Sequence, residues 1–128
     1  MTNLAPDVTA EIAASYAEWD LAFNKADTKA VAAAYVSNAK VLPPTHEVIS
    51  GPAEIEKFFA GLFSSGFTDH ALTIIDAGGD EKVAYSTAKW SARGKGADGS
   101  RQAFGGIATH VFERQADGSL KLRLHTFN

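Results

Sequence analysis

The end of the chain carries the side chains best suited to chemistry. His110 and His125 lie on two predicted strands, and Arg123 lies two residues before His125. Histidine exchanges protons near neutral pH, and an arginine can stabilise a carboxylate or an enolate. We therefore predict a catalytic group formed by His110, His125 and Arg123.

The turn between these strands determines which side chains share a face. A two-residue loop at Asp117-Gly118 favours a type I′ turn, which fixes every later pair. His110 then lies directly opposite His125, and Phe112 lies opposite Arg123 on the same face. The other face is aliphatic, and we expect a second subunit to cover it. It carries Ile107, Thr109, Val111, Leu122 and Leu124.

Two other interpretations of the histidines remain open at this stage. The pair could hydrogen-bond a ligand or water without any chemistry. A metal site would need a third ligand from His70 or His46, and no ligand-spacing motif supports one. We therefore expect neither a metal nor a cofactor.

Composition places the chain among soluble single-domain proteins. It has 128 residues, 45% of them hydrophobic, with a net charge of −3 and no cysteine. This excludes disulfides and thiolate chemistry, and no basic stripe suggests nucleic-acid binding. Neither a signal peptide nor a membrane span is evident, so we expect a cytoplasmic protein.

Helices are predicted in the first half and strands in the second. Apolar residues at helical spacing predict one helix from Val8 to Phe23, a second after Asp27, and a third after Pro52. Tyr35 is expected on the inner face of the second helix. Strands are predicted over residues 39–42, 70–77, 83–93, 104–114 and 120–127, with a short return strand within 46–49. Helices followed by an antiparallel meander indicate an α+β fold.

Aromatic residues are numerous enough to form both a core and a binding pocket. More often such residues are plain core, although helix ends can line a cavity as well. The residues predicted to contact a ligand are Tyr16, Trp19, Tyr35, Phe59, Phe63, Trp90, Phe104, Phe112 and Phe127.

Several segments together resemble the nuclear-transport-factor-2-like superfamily, in its SnoaL-like and ketosteroid-isomerase-like branches. They are FNKADTKAVAAAYVSNAKVLPP, ISGPAEIEKFF, VAYSTAKW and FGGIATHVFERQADGSLKLRLHTFN. The resemblance covers nearly the whole chain. It implies a single cone-shaped domain of residues 1–128, with three helices packed on a strongly curved antiparallel sheet that encloses a pocket. It also implies a homodimer formed through the convex sheet face.

The resemblance is weaker in the catalytic residues. Ketosteroid isomerases have a tyrosine, an aspartate that acts as the general base, and a protonated aspartate. At the corresponding positions this chain has Trp19, Pro43 and His110. The aspartate that is frequent near the end of SnoaL-like proteins is replaced by His125. We therefore predict a pocket for a small apolar or carboxylate-bearing molecule. Its chemistry would be cofactor-free histidine acid–base catalysis of the isomerase, cyclase or dehydratase type. The alternative is a non-catalytic module that binds a ligand or assembles into oligomers.

Overall fold

Three helices precede or interrupt the first strands of the chain. The structure is a computed structural model that describes residues 7–128. Asp7 and Asp27 cap the first two helices, because their carboxylates accept hydrogen bonds from the N–H groups of Ala10 and Ala30. The helices are α1 (Val8–Asn24), α2 (Thr28–Ala33) and α3 (Gly51–Ser64).

Six strands form one sheet in the order β2-β1-β6-β5-β4-β3. Neighbouring strands are antiparallel except β1 and β6, which run parallel. The predicted meander is therefore present as β3 to β6, and the α+β prediction is confirmed. The strands are β1 (Tyr35–Leu42), β2 (Ile49–Ser50), β3 (Thr68–Gly79), β4 (Val83–Lys95), β5 (Arg101–Arg114) and β6 (Leu120–Phe127).

The hydrophobic core lies between the helices and the concave face of the sheet. Helix α1 buries Ile12, Tyr16, Trp19 and Phe23, which recur every three or four residues. Helix α3 buries Ile55 and Phe59 in the same layer. None of the helices within residues 7–128 has the length and apolarity needed to cross a membrane.

The hairpin between β5 and β6 differs from the predicted two-residue turn. Arg114 pairs with Leu120, so the loop is five residues long, and Gly118 adopts a positive φ of 88° within it. The pairing shifts by one residue between Val111 and Phe112. Beyond this bulge His110 lies opposite His125, as predicted.

The bulge corrects two predictions made from the ideal hairpin. Phe112 pairs with Leu122 rather than with Arg123. Leu122 therefore points into the core, where it is 5% exposed, and its assignment to the outer aliphatic face is wrong. Ile107 of that face is 40% exposed, while Thr109, Val111 and Leu124 are half-buried.

Tyr35 also lies on a different element from the one predicted. Helix α2 ends at Ala33, and Tyr35 is the first residue of β1, where it pairs with Leu122. β-branched and aromatic residues favour strands, and this preference begins at Tyr35-Val36. The change of element places the Tyr35 side chain under β6, where it reaches His125.

Candidate functional site

An apolar cavity opens between helices α1 and α3 and the concave face of the sheet. Its volume is about 130 Å³, and aromatic side chains form most of its wall. Three histidines also belong to that wall. A cavity of this composition is typical of a small-molecule site. Its lining comprises Trp19, Phe23, Phe59, Leu62, Phe67, His70, Leu72, Trp90, Ala92, Phe104, Ala108, His110, His125 and Phe127.

His70 enters this cavity from a bulge in edge strand β3. The pairing of β3 with β4 shifts by one residue between Thr68 and Ala71. Asp69, within the bulge, has a φ of 55°, a left-handed conformation that aspartate tolerates better than most residues. Bulges commonly re-aim a side chain beside a functional site. Here the bulge accompanies the placement of the His70 ring on the cavity wall.

Two polar residues one turn apart on α1 hold His70. Asp20 Oδ1 lies 2.7 Å from His70 Nδ1, and Asp20 Oδ2 accepts the N–H of Leu72 at 3.1 Å. Asn24 accepts the backbone N–H of His70 at 2.7 Å and donates to its carbonyl at 3.1 Å. Because a carboxylate can only accept, His70 Nδ1 carries the proton. Its Nε2 is then the nitrogen available to a ligand.

His110 is held from behind by a tyrosine and a serine. Its Nδ1 lies 2.6 Å from the hydroxyl of Tyr16, which also hydrogen-bonds the hydroxyl of Ser86. Ser86 is fully buried, and His110 is 2% exposed. When Ser86 donates to Tyr16 and Tyr16 donates to Nδ1 of His110, both hydroxyl protons of this hydrogen-bonded series have an acceptor. This arrangement leaves the ring proton of His110 on Nε2.

His125 is held by a second tyrosine in a similar way. Its Nδ1 lies 2.8 Å from the hydroxyl of Tyr35. Burial raises the pKa of Tyr35, and the neighbouring indole N–H of Trp19 lowers it by a smaller amount. That N–H forms no hydrogen bond of standard geometry within residues 7–128. Because the indole is a donor only, its position favours Tyr35 as the donor to His125 Nδ1.

The His110 and His125 rings pack against each other, with centroids 4.4 Å apart. Burial is the main cause that lowers the pKa of His110 to about 3, and the nearby His70 adds to it. Burial, followed by His110 and His70, lowers the pKa of His125 well below its usual value. Both rings are therefore neutral at physiological pH.

Aromatic rings fix the plane of His70. The ring lies parallel to Trp90, with an interplanar angle of 5° and centroids 6.1 Å apart. Trp19 and Phe23 approach it to 4.9 and 4.7 Å. With two hydrogen-bonded partners on α1 and three aromatic neighbours, His70 has little rotational freedom.

A second cavity, of about 330 Å³, lies between α1, α2 and the β5–β6 hairpin. His110, Trp19 and Leu72 line both cavities. Much of the remaining wall is alanine, with Glu18 and Lys121 among its charged residues. The second cavity is lined by Ser15, Tyr16, Glu18, Trp19, Ala22, Ala30, Ala33, Ala34, Leu72, His110, Phe112, Ser119, Leu120, Lys121 and Leu122.

The structure distributes the predicted ligand-contacting residues over the two cavities and two places outside them. Trp19, Phe59, Trp90, Phe104 and Phe127 line the first cavity, together with both predicted histidines. Tyr16 and Phe112 line the second cavity. Tyr35 lies behind His125, and Phe63 packs on Phe23 with ring centroids 4.8 Å apart.

Arg123 lies apart from the histidines. Its guanidinium donates to the carbonyl of Asn38 at 2.7 Å and lies 3.7 Å from Glu113. The bulge next to Arg123 accounts for this position, because it removes the residue from the face predicted by an ideal hairpin. No lysine or arginine of residues 7–128 lines the first cavity.

His70 and its carboxylate partner Asp20 are the candidate site residues that the sequence analysis does not identify. The sequence offers His70 only as a possible third metal ligand. Within residues 7–128 no group of three or more histidine or acidic residues is arranged to hold a metal ion. A usable signal was the spacing of Asp20 and Asn24, two polar residues at i and i+4 directly after the apolar Trp19 and Phe23.

Fold and site together define a class: small α+β proteins in which a curled sheet and a helical layer enclose a pocket. The chain belongs to the SnoaL-like domain family, whose sequence profile matches residues 12–122. This confirms the resemblance inferred from the sequence. No curated protein sequence matches the chain.

Solved structures show the same fold at low sequence identity. A ketosteroid isomerase-like protein from Erwinia carotovora atroseptica has a TM-score of 0.83 and 20% identity, covering 95% of each chain. A proposed dehydratase of the NTF2-like family from Streptomyces avermitilis has 0.78 and 16%, covering 97% of each. A proposed calcium/calmodulin-dependent protein kinase II association domain from Xanthomonas campestris has 0.81 and 19%, covering 98% of this chain and 91% of the other. At these identities the likeness concerns the fold alone.

Proposed function

We propose that this protein is a cofactor-free acid–base enzyme of the isomerase, cyclase or dehydratase type. The observation that carries the proposal is that one apolar cavity wall holds histidines with two different types of hydrogen-bond partner. His70 is backed by the carboxylate of Asp20, whereas His110 and His125 are backed by tyrosine hydroxyls. Environments that separate the proton affinities of neighbouring groups define acid and base partners.

His70 is the proton acceptor in this proposal. Its Nδ1–H donates to Asp20, so Nε2 has a lone pair available in the cavity. Asp20 stabilises the imidazolium that forms when Nε2 takes a proton. The proton would come from a carbon next to a carbonyl, because the electron pair left on that carbon can move onto the carbonyl oxygen.

His110 and His125 stabilise the negative charge that develops on the carbonyl oxygen. With Nδ1 of each ring bonded to a tyrosine, their Nε2–H groups are free to donate to the carbonyl oxygen as it becomes an enolate. Return of the proton to another carbon gives an isomerase. Loss of a β-hydroxyl group from the enolate, which leaves as water after taking the proton from His70, gives a dehydratase.

The ligand that fits this cavity is small, apolar and uncharged. Its walls are aromatic rings, and no cationic side chain from residues 7–128 is present to pair with a carboxylate. Placing an unpaired carboxylate there would cost more than its apolar contacts return. Of the two ligand types predicted from the sequence, we therefore favour the apolar carbonyl compound.

Exchange of carbon-bound protons for deuterium tests the reaction without knowledge of the natural substrate. Small cyclic and aryl ketones are incubated with the protein in D₂O, and their α-proton signals are followed by NMR. We expect accelerated loss of these signals for at least one ketone, and loss of the acceleration in His70→Gln. The matched control is His46→Asn, because His46 is an exposed loop residue whose positive φ asparagine tolerates. An undiminished rate in His70→Gln would remove His70 from the mechanism.

The non-catalytic alternative is favoured by a different observation, the apolar outer face of the sheet. Val83, Tyr85 and Ile107 are 47%, 45% and 40% exposed. We propose that Ile107, Thr109, Val111 and Leu124 form a homodimer interface, since an apolar sheet face in a small protein commonly marks a contact surface.

Sedimentation of single variants tests this interface. Leu124→Glu places a charge on the outer face and is expected to give a folded monomer. Leu21→Glu alters an α1 residue that is 56% exposed and should sediment like the parent protein. An unchanged dimer in Leu124→Glu would rule out this face. A dimer that binds no ketone and exchanges no protons would support the association module.

A further inference from the structure

The two cavities meet at His110. His110 lines both of them, whereas His125 lines the first and is absent from the wall of the second. His110 is therefore the one of the two adjacent rings with a side toward each space. The two rings otherwise have similar burial, with 2% and 6% of their surfaces exposed.

The tyrosines behind the two rings differ in the same way. Tyr16, which hydrogen-bonds His110 Nδ1 at 2.6 Å, lines the second cavity. Tyr35, which hydrogen-bonds His125 Nδ1 at 2.8 Å, lines neither cavity described here. Two dyads of the same chemistry thus differ in whether the tyrosine borders a cavity.

The residue next to each tyrosine hydroxyl adds a second difference. Ser86 bonds to Tyr16, and a serine hydroxyl can both donate and accept. The indole of Trp19 beside Tyr35 can only donate. Tyr16 can therefore reverse the direction of its hydrogen bonds and keep Ser86 as a partner, whereas the Tyr35 hydroxyl has His125 as its one hydrogen-bond partner within residues 7–128.

We propose that Tyr16 and the second cavity form a proton relay that keeps His110 neutral when its Nε2 proton goes to a ligand in the first cavity, leaving the ring proton on Nδ1. When His110 gives its Nε2 proton to the ligand, the Tyr16 hydroxyl gives its proton to Nδ1. A hydronium ion or buffer acid in the second cavity then protonates the Tyr16 oxygen. The reverse sequence takes a proton from the ligand to solvent. The use of the relay in turnover rests on the proposed function, but its existence does not.

Exchange of the tyrosine hydroxyl protons with water measures the relay directly. Protein labelled with ¹³C at Cζ of tyrosine is dissolved in equal parts of H₂O and D₂O. Slow hydroxyl exchange splits each Cζ signal into two, and fast exchange averages them. The chain contains three tyrosines, so single Tyr→Phe variants assign every signal. We expect one averaged signal for Tyr16, a split signal for buried Tyr35, and an averaged signal for exposed Tyr85.

Filling the second cavity should change only the Tyr16 signal. Ala33→Phe places a ring in this cavity from the exposed side of α2, and the signal of Tyr16 is expected to split. Ala30→Phe replaces it if Ala33→Phe does not fold. Ala14→Phe, on an exposed α1 position outside both cavities, should leave all three signals unchanged.

The link from Tyr16 to His110 has its own spectroscopic signature. Long-range ¹H–¹⁵N spectra report which ring nitrogen carries the proton. We expect His110 to be an Nε2–H tautomer that changes in Tyr16→Phe and is unaffected by Tyr35→Phe. A split Tyr16 signal in the parent protein, an averaged one in both filled variants, or an unchanged His110 in Tyr16→Phe would overturn the relay. None of these measurements uses a ligand, so they can fail while the ketone exchange succeeds, and the reverse.

Discussion

His70 and the His110–His125 pair line one cavity but have opposite surroundings. The pair lies on central strands, is buried, and has tyrosine hydroxyls as partners. His70 lies on an edge strand with a carboxylate as partner. A hydroxyl supports a neutral imidazole, whereas a carboxylate supports an imidazolium. The comparison teaches that rings on one cavity wall can differ in two ways at once: in burial, which keeps His110 and His125 neutral, and in the group that hydrogen-bonds Nδ1.

The largest effect should come from acid acting on the pair. Both folded-state pKa values lie below the ordinary value of 6.5, and that of His110 is about 3. The unfolded chain therefore binds more protons at pH below 6.5. The contribution of the two neutral histidines to the free energy of unfolding is fully present above this pH and is lost as the pH falls toward 3. Each histidine should contribute a slope of about 1.4 kcal/mol per pH unit.

Urea unfolding at intervals from pH 7.5 to 4.5 measures this slope. In His125→Gln the slope should fall by about the share of one histidine. His46→Asn, a substitution in an exposed loop, is measured alongside as the control. A parent slope of zero across this range would show that the pair is protonated in the folded state, and the contrast with His70 would disappear.

A smaller loss is expected when the partner of His70 is neutralised. Both carboxylate oxygens of Asp20 accept a hydrogen bond, one from His70 and one from the N–H of Leu72. Asparagine offers one oxygen and would turn an NH₂ group toward the other donor. Asp20→Asn should therefore lower the free energy of unfolding by about 1–3 kcal/mol. Asp76→Asn on the exposed part of β3 is the control in the same denaturation experiment, and equal losses in both variants would contradict the prediction.

Removing one hydroxyl behind the pair should cost less. Tyr35→Phe keeps the packing of the ring but leaves His125 Nδ1 without its partner. We expect a loss of about 1 kcal/mol in urea unfolding. We also expect His125 to lose its single tautomer in long-range ¹H–¹⁵N spectra. A His125 spectrum identical to that of the parent protein would mean that the tyrosine does not set the tautomer.

The smallest effect is expected at Arg123. Its guanidinium bonds a backbone carbonyl on β1 and lies outside the cavity wall. Arg123→Ala should change the free energy of unfolding by less than about 0.5 kcal/mol, as for most surface substitutions. It should leave deuterium exchange into ketones unchanged. A large loss of exchange activity would restore Arg123 to the site.

The sequence was sufficient to predict the elements and their order, because periodicity and turn residues are local signals. Strand β6 was predicted over its observed range, and the pairing of His110 with His125 is confirmed. The dyad of Asp20 and His70 was not predictable in the same way. The two residues are separated by 50 positions, and a bulge at Asp69 accompanies their contact. Bulges of this kind leave little trace in hydrophobic alternation.

The predictions for the terminal hairpin erred in two places whose effects cancelled. The real loop is longer than the two residues assumed, and a bulge at Arg123 then shifts the pairing by one residue. His110 and His125 meet as they would have in an ideal ribbon, while Leu122 between loop and bulge changes face. The error at Leu122 and the success at the histidines thus have one cause.

The bulge at Arg123 also separates the tip of this hairpin from the half that carries His110 and His125. A strand without such an irregularity transmits any change in loop length along its whole extent and turns every side chain over. Here one residue is already looped out between the tip and His125. A one-residue deletion at the tip can be absorbed by taking that residue back into the ladder. The positions of the two imidazoles are therefore protected against changes in the length of this exposed turn.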